Sequence, residues 1–284
     1  MDDKNREDRH TIFTIPRENI DFSNCEFYHT MNIPGHGLVK GQWDIRGREQ
    51  EYLGCVNFEG KRVLELGTAD GFLCFYMESK GAEVITHDLS KEDSWDIVPF
   101  CNTAKTIWTP EEWKRFSERQ NNGYWFAHGA MKSKAKACHS SIYEIPEQIG
   151  LVDISIFGSI LLHVRDPFLA LEKVLRLTKE TVVIIDLPKG SSVFPTKLFP
   201  VIQIVLKYLK KYFRPSMTLL PDYRIGEPWN AWWHIPPELI VEFIGILGFE
   251  ESEIKFSEQL YNEKKCTVYT VVGHRTNDKH LLVQ

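Results

Sequence analysis

The residues best placed to do chemistry in this chain lie in one stretch, RVLELGTADGFLCFYMESKGAEVITHDLS, residues 62–90. An apolar run containing Val63, Leu64 and Leu66 ends in a turn, Gly67-Thr68-Ala69-Asp70-Gly71. Gly67 and Gly71 permit a tight turn and a close approach of backbone to a ligand. A helical run follows, then a second apolar strand that ends on Asp88. An acid about 20 residues beyond such a turn stands where ribose hydroxyls are bound. Strand, turn, helix, strand and acid in this order make half of a nucleotide-binding α/β unit. The plainer alternative is that the glycines only turn the chain and Asp88 is a solvated loop acid.

Three nucleotide chemistries compete for the turn. A dinucleotide site uses G-x-G-x-x-G, with a pyrophosphate on the helix N-terminus. Here Ala69 replaces the middle glycine, the spacing differs, and Asp70 would repel a pyrophosphate. A phosphate-binding P-loop needs Gly-Lys-Ser/Thr, which is absent. S-adenosylmethionine (SAM) has no phosphate and carries a sulfonium and an ammonium. Acids at Glu65 and Asp70 suit it, so SAM is the expected cofactor.

The elements around this unit can be laid out from the sequence. At 284 residues the chain can bury a full core as one elaborated domain. Its 43% hydrophobic and 26% charged residues are ordinary for a globular protein. A net charge of -5 and a pI near 6.1 give no global pull toward nucleic acid. Six cysteines form no C-x-x-C pair and read as core residues in a reducing compartment. The charged start MDDKNREDRH is no signal peptide, and no apolar run reaches membrane-spanning length. The cytoplasm is therefore the expected location. Ten scattered histidines show no ligand spacing, so no metal is expected.

Residues 1–60 are read as a tail and an N-terminal cap, with a short helix near 48–53. The domain proper is expected over 61–284, with insertions at about 94–133 and 188–236. Thr109, Pro110 and Glu112 spell a capping box for a short helix. Further strands are expected at 134–139, 152–157, 181–187, 253–257 and 266–274. Asp166-Pro167 should open one helix, and Gly248 should close another that starts at Pro237. Residues 197–213 are apolar with lysines toward the end. They read as a lid or a homodimer contact, ahead of a membrane-surface helix.

The turn Glu65-x-Gly67-x-x-x-Gly71 resembles motif I of the Rossmann-like class I methyltransferases, whose usual form E/D-x-G-x-G-x-G differs at Ala69. The segments YHTMNIPGHGLVKGQWDIR, NGYWFAHGAMKSKAKACHSSIYEIP, FGSILLHVRDPFLAL and WWHIPPELIVEFIGILGF are similar to a branch related to the bacterial wobble-uridine carboxymethyltransferases of tRNA. The resemblance implies an α/β fold with a seven-stranded, mostly parallel sheet and an antiparallel C-terminal strand. It adds an N-terminal cap and two lid insertions.

It also implies a cofactor site. Gly67, Thr68, Ala69 and Gly71 would lie under the SAM methionine end, with Asp88 on the ribose and Leu89 beside the adenine. Ser141 and Ile142 fall at the adenine, and Gly158 and Ser159 beside the sulfonium. The carboxymethyl-transferring relatives carry an L-Y-H-R-R-like run; here it is Leu161-Leu162-His163-Val164-Arg165. Leu162 cannot hydrogen-bond a carboxylate, which points to plain methyl transfer.

Methyl transfer needs alignment of nucleophile, methyl and sulfur, and at most one proton removed. His163 is the first candidate base, because histidine titrates near neutrality, and His29 is the second. Tyr28, Trp43, Trp125, Trp229, Trp232, Trp233 and His234 are read as an aromatic lid for the acceptor, against simple burial of large rings. The expected function is methyl transfer from SAM to O or N of a small-molecule acceptor. Modification of tRNA wobble uridine and a non-catalytic SAM-binding role are the alternatives.

Overall fold

The computed structural model describes residues 12–89, 95–101, 109–188 and 214–282. The cap comprises β1 (Met31–Ile33), β2 (Gly37–Val39), β3 (Trp43–Asp44) and α1 (Glu49–Tyr52). The core runs through β4 (Arg62–Leu66), α2 (Phe72–Ser79), β5 (Glu83–Asp88), α3 (Pro110–Met131) and β6 (Lys136–His139). It continues with β7 (Val152–Gly158), α4 (Pro167–Leu175) and β8 (Thr178–Asp186). A small hairpin of β9 (Thr218–Leu219) and β10 (Trp233–His234) precedes α5 (Pro237–Ile246). Strands β11 (Glu251–Tyr261) and β12 (Lys264–His274) close the chain.

Eight strands form one sheet in the order β3-β11-β12-β8-β7-β4-β5-β6. The five from β6 to β8 are parallel. β12 runs antiparallel to β8, and β11 antiparallel to β12. This is the Rossmann-like methyltransferase arrangement, with one strand more than the seven expected. The extra strand is β3, two residues from the cap that pair with the end of β11. A strand that short has no readable alternation.

Parallel strands are covered on both faces and so read as apolar runs. Val63, Val84, Ile156 and Val183 meet Leu73, Cys74 and Met77 of α2 on one face. Leu64, Leu66, Phe157 and Ile184 meet Ala170 and Val174 of α4 and Ile240 and Ile244 of α5 on the other. Asp166 caps α4 by accepting from the Leu169 N–H at 2.9 Å, with Pro167 in the first turn.

Helix α3 begins on the expected capping box. Glu112 N–H donates to Thr109 Oγ1, and Thr109 N–H to Glu112 Oε2. It then runs 22 residues, where a short helix is expected from the sequence. Its polar stretch Gln120-Asn121-Asn122-Gly123 hides the helical period. The helix is the crossover that joins parallel β5 to β6. Its Tyr124 hydroxyl lies 3.0 Å from Thr86 Oγ1 of β5. Trp125 is 1% exposed beside Tyr124 and His128. That corrects the expectation that Trp125 belongs to an acceptor lid: it is core. The expected helix over 197–213 lies outside the described residues.

The cap is strapped along α3. Glu26 N–H donates to Arg119 O, and Arg119 and Asn122 side chains donate to the carbonyls of Cys25 and Asn24. A Cβ on Gly123 would run into the Glu26 carbonyl oxygen, whereas one on Gly129 meets nothing within 4 Å. Alanine gains about 1 kcal/mol over glycine in a helix, while overfilling a tight contact costs about 1–3 kcal/mol. Urea denaturation should therefore show Gly129→Ala unchanged or stabilised by up to about 1 kcal/mol, and Gly123→Ala destabilised.

Candidate functional site

The order of strands reverses between β4 and β7, and in open α/β sheets ligands bind outside the carboxyl ends at such a point. The turn after β4 and the residues Gly158 and Ser159 after β7 flank this crevice. Gly67 has φ +71°, and a Cβ there would lie 2.9 Å from Ile160 Cδ1. Gly71, φ +84°, caps α2 against Phe75 and Tyr124. Ala69 takes a left-handed φ of 52° between them, and Ser159 one of 51°. Left-handed backbone is costly for residues other than glycine, so both mark strain at the site.

Each residue of the turn has a separate partner. Thr68 Oγ1 donates to Glu65 Oε2 at 2.8 Å. Ala69 N–H donates to Asp88 Oδ2 at 3.1 Å. Asp70, fully buried, accepts from the His29 N–H at 2.6 Å on one oxygen and from His29 Nδ1–H at 2.7 Å on the other. The expectation that Asp70 offers its charge to a ligand is corrected: both oxygens are engaged by the cap. His29, expected as a second base, has its Nδ1 committed to Asp70 and its ring stacked 5.5 Å from Phe72.

The cap thereby roofs a cavity. Its floor is Glu65, Gly67, Thr68, Ala69, Gly158 and Ser159; Tyr28, His29, Trp43, Tyr52 and Leu73 complete the walls. Trp43 Nε1–H donates to the Tyr28 hydroxyl at 2.8 Å, and the Tyr52 hydroxyl is set toward Ser159. Burial, reinforced by the charges of Asp70 and Asp88, pushes the Glu65 carboxyl up to about 8. Burial likewise pushes Asp186, at the end of β8, up to about 7. Among the described residues no cation offsets either acid.

Beyond the turn, Asp88 Oδ1 also accepts from Leu89 N–H at 2.8 Å, so its carboxyl is braced from both sides. Burial raises it above the usual carboxylate range. Ser140 N–H donates to Asp88 O, which brings the end of β6 alongside. Ser141 and buried Ile142 follow directly, and Ser141 Oγ accepts from Tyr143 N–H. Asp88, Leu89, Ser141 and Ile142 thus stand together beyond β5 and β6, next to the turn, and none of them lines the cavity.

His163 sits on the other side, in a short turn after β7. Its Nδ1–H donates to the Asn230 carbonyl, and burial lowers its pKa below the usual histidine value. It meets Trp95 edge-on at 5.4 Å. Trp95 stacks on Trp113 at 4.8 Å, and Trp113 meets Trp229 at 4.4 Å. Trp232 N–H donates to Leu162 O, its ring nitrogen to Asp96 O, and Trp233 Nε1–H to Arg165 O. Trp233 and His234 form β10. Trp229, Trp232 and Trp233 therefore gather over the β7 turn with rings of the first insertion. His163 is not among the residues lining the cavity.

Sequence reading passed over Asp186 and Tyr52. Asp186 ends the apolar run VVIID at a carboxyl end of the sheet, which is the signal that could have found it. Tyr52 lies in a four-residue helix with no catalytic pattern around it. Among the described residues no group of His, Cys, Asp or Glu could hold a metal ion. No helix among them is long and apolar enough to cross a membrane.

No protein-family model matches the chain, and no curated protein does. Solved structures do. Magnesium protoporphyrin IX methyltransferase from Synechocystis PCC 6803 with bound SAH is 14% identical, over 80% of each chain, at a TM-score of 0.45. The N-terminal domain of EvdMO1 in the presence of SAH and D-fucose is 17% identical, over 87% of this chain and 90% of that one, at 0.49. A SAM-dependent methyltransferase from Aquifex aeolicus is 14% identical, over 81% and 90%, at 0.46. Likeness at this level assigns neither an acceptor nor a site residue to this chain.

The raised acids set a pH dependence. The unfolded chain releases the Glu65 proton near 4.5, whereas the folded protein keeps it to about 8. Folding then binds a proton across that window, so stability falls as pH rises through it. Urea titrations of ligand-free protein between these limits should show this decline. Glu65→Gln should flatten it and leave the protein more stable at the alkaline end by a few kcal/mol.

Proposed function

We propose that this chain is a SAM-dependent methyltransferase that methylates O or N of a small-molecule acceptor. The observation that supports it most is the cavity at the switch point, roofed by the cap and containing a buried acid with no cation. A cationic ligand would draw the proton off that acid and pair with it, and an anionic phosphate would not. Glu65 would hold the SAM ammonium, with Gly67, Thr68, Ala69 and Gly71 along the methionine chain and Gly158 and Ser159 beside the sulfur. Asp88 retains acceptor capacity for the ribose hydroxyls, since a carboxylate offers about four lone-pair sites. Leu89 and Ile142 offer apolar contact to the adenine. When bound, SAM supplies an electrophilic methyl carbon.

The chain's own residues bind, orient and exclude water. Tyr28, His29 and Trp43 cover the donor side, and the tryptophans above the β7 turn cover the acceptor side. His163 joins that turn to Asn230 and serves to anchor the cover. Leu162 contributes only its carbonyl, to Trp232 N–H, and no side-chain donor for an extra carboxylate. That favours plain methyl over carboxymethyl transfer, and with it a small acceptor over tRNA wobble uridine.

Calorimetry with S-adenosylhomocysteine (SAH) tests the reading. The wild-type protein should bind with a Kd on the order of micromolar. Asp88→Ala should weaken binding by about tenfold or more, as loss of two ribose hydrogen bonds to a charged group requires. Gly67→Arg should abolish it by filling the crevice while circular dichroism stays native. Absence of SAH binding to well-folded wild-type protein would overturn the proposal.

A further inference from the structure

Asp186 is 4% exposed, and its Oδ2 is buried without a hydrogen-bond partner among the described residues. Its Oδ1 accepts only from Leu187 N–H, at 2.7 Å. A buried carboxylate left half-satisfied is destabilising, and such groups point to a missing donor. Asp186 ends β8, beside β7: Ser159 N–H donates to the carbonyl of the preceding Ile185 at 2.8 Å. Its charge bears on the hydroxyls of Tyr28 and Tyr52, both of which wall the cavity.

The position of Asp186 separates it from the donor side. β7 and β8 lie on one side of β4, and β5 and β6 on the other. Glu65 and Asp88 belong to β4 and β5, and Ser141 follows β6. Asp186 is two strands from Glu65, about 10 Å at the spacing of adjacent strands. One ammonium cannot serve both acids. Among the described residues the side chains that feel its charge are the phenols of Tyr28, Tyr52 and Tyr269, and the charges acting on the cavity are acids. An anionic acceptor would be repelled there, and a cation would draw the proton off this carboxyl and pair with it, which a neutral hydroxyl would not.

We propose that Asp186 binds the reacting amine of the acceptor, so that the substrates are small amines with an apolar or aromatic body and the reaction is N-methylation. This rests on the reading of the chain as a SAM-dependent methyltransferase. Tyr52, whose hydroxyl is set toward Ser159 beside the end of β7, supplies an aromatic wall for such a body, and aromatic faces also attract cations. The amine arrives as an ammonium and must lose a proton to become a nucleophile. The N–H bond breaks, its electron pair stays on nitrogen as the lone pair, and the proton passes to Asp186 Oδ2; that lone pair would then form the N–C bond as the C–S bond of the donor breaks, its electron pair going to sulfur and SAH leaving. The elevated proton affinity that burial gives this carboxyl suits it to receive that proton near neutrality.

Thermal-shift and calorimetric titrations of SAH-saturated protein test this without turnover. The probes are benzylamine and tyramine, set against benzyl alcohol and benzoate. Wild type should bind the amines saturably and should show no binding of benzoate. Asp186→Asn, of the same size, should weaken amine binding by about tenfold or more, the loss expected for breaking a buried charge pair. It should bind SAH within about threefold of wild type, a difference under 1 kcal/mol. No preference of wild type for amines over benzyl alcohol would overturn the proposal whatever the variant does. A tenfold loss of SAH affinity in Asp186→Asn would overturn it too, by assigning the carboxylate to the donor. Failure of wild type to bind SAH at all would instead sink the methyltransferase reading.

Discussion

A fully buried carboxylate holds the cap to the carboxyl ends of the parallel strands. Asp70 has both oxygens on His29, one on the backbone N–H and one on the ring. Removing the cap would leave that charge unpaired in an apolar surround, a penalty of several kcal/mol. Tyr28 and Trp43 are fixed with it, because Trp43 N–H donates to Tyr28 O and Thr30 N–H to Trp43 O. The roof of the cavity, the eighth strand and the strap along α3 all depend on this contact. An acid in the turn that would be a liability beside a pyrophosphate is here a structural fastening.

The acids left unfastened define the site. Asp70 is satisfied by the protein, whereas Glu65 has one hydroxyl and Asp186 one backbone N–H. The same burial that makes them costly in the free protein makes them strong partners for a cation. Ala69 and Ser159 add left-handed backbone on either side of the crevice. Instability is thus concentrated where a ligand would relieve it, and the surrounding strands are ordinary apolar core.

Much of this was legible in the sequence because its causes are local. Apolar runs marked the parallel strands, Asp88 fell at the strand end its spacing implied, and Thr109 with Glu112 and Asp166 with Pro167 opened their helices. What escaped depends on contacts distant in sequence. Asp70 and His29 are 41 residues apart, and nothing local says that the two side chains meet. Trp125 looked like one more ring in an aromatic insertion until the whole of α3 showed it on the buried face. Asp186 closes an expected strand in the sequence; only its neighbours across the sheet reveal that its carboxyl is buried with one oxygen unpaired among the described residues.

Two covers with separate fastenings close the crevice. On the donor side the cap is held at Asp70. On the acceptor side Asp96 is the clasp: Oδ2 accepts from the Tyr143 hydroxyl and from Arg165 N–H, and its carbonyl accepts from Trp232 Nε1–H. That one residue ties the first insertion to the turns after β6 and β7 and to the second insertion. The described hydrogen bonds of the two fastenings share no residue. Movement of the aromatic cover would therefore not need to break the His29–Asp70 contact. In the proposed methyl transfer this separation would let one substrate remain bound while the other is exchanged, and it follows from where buried Asp70 and half-buried Asp96 find their donors.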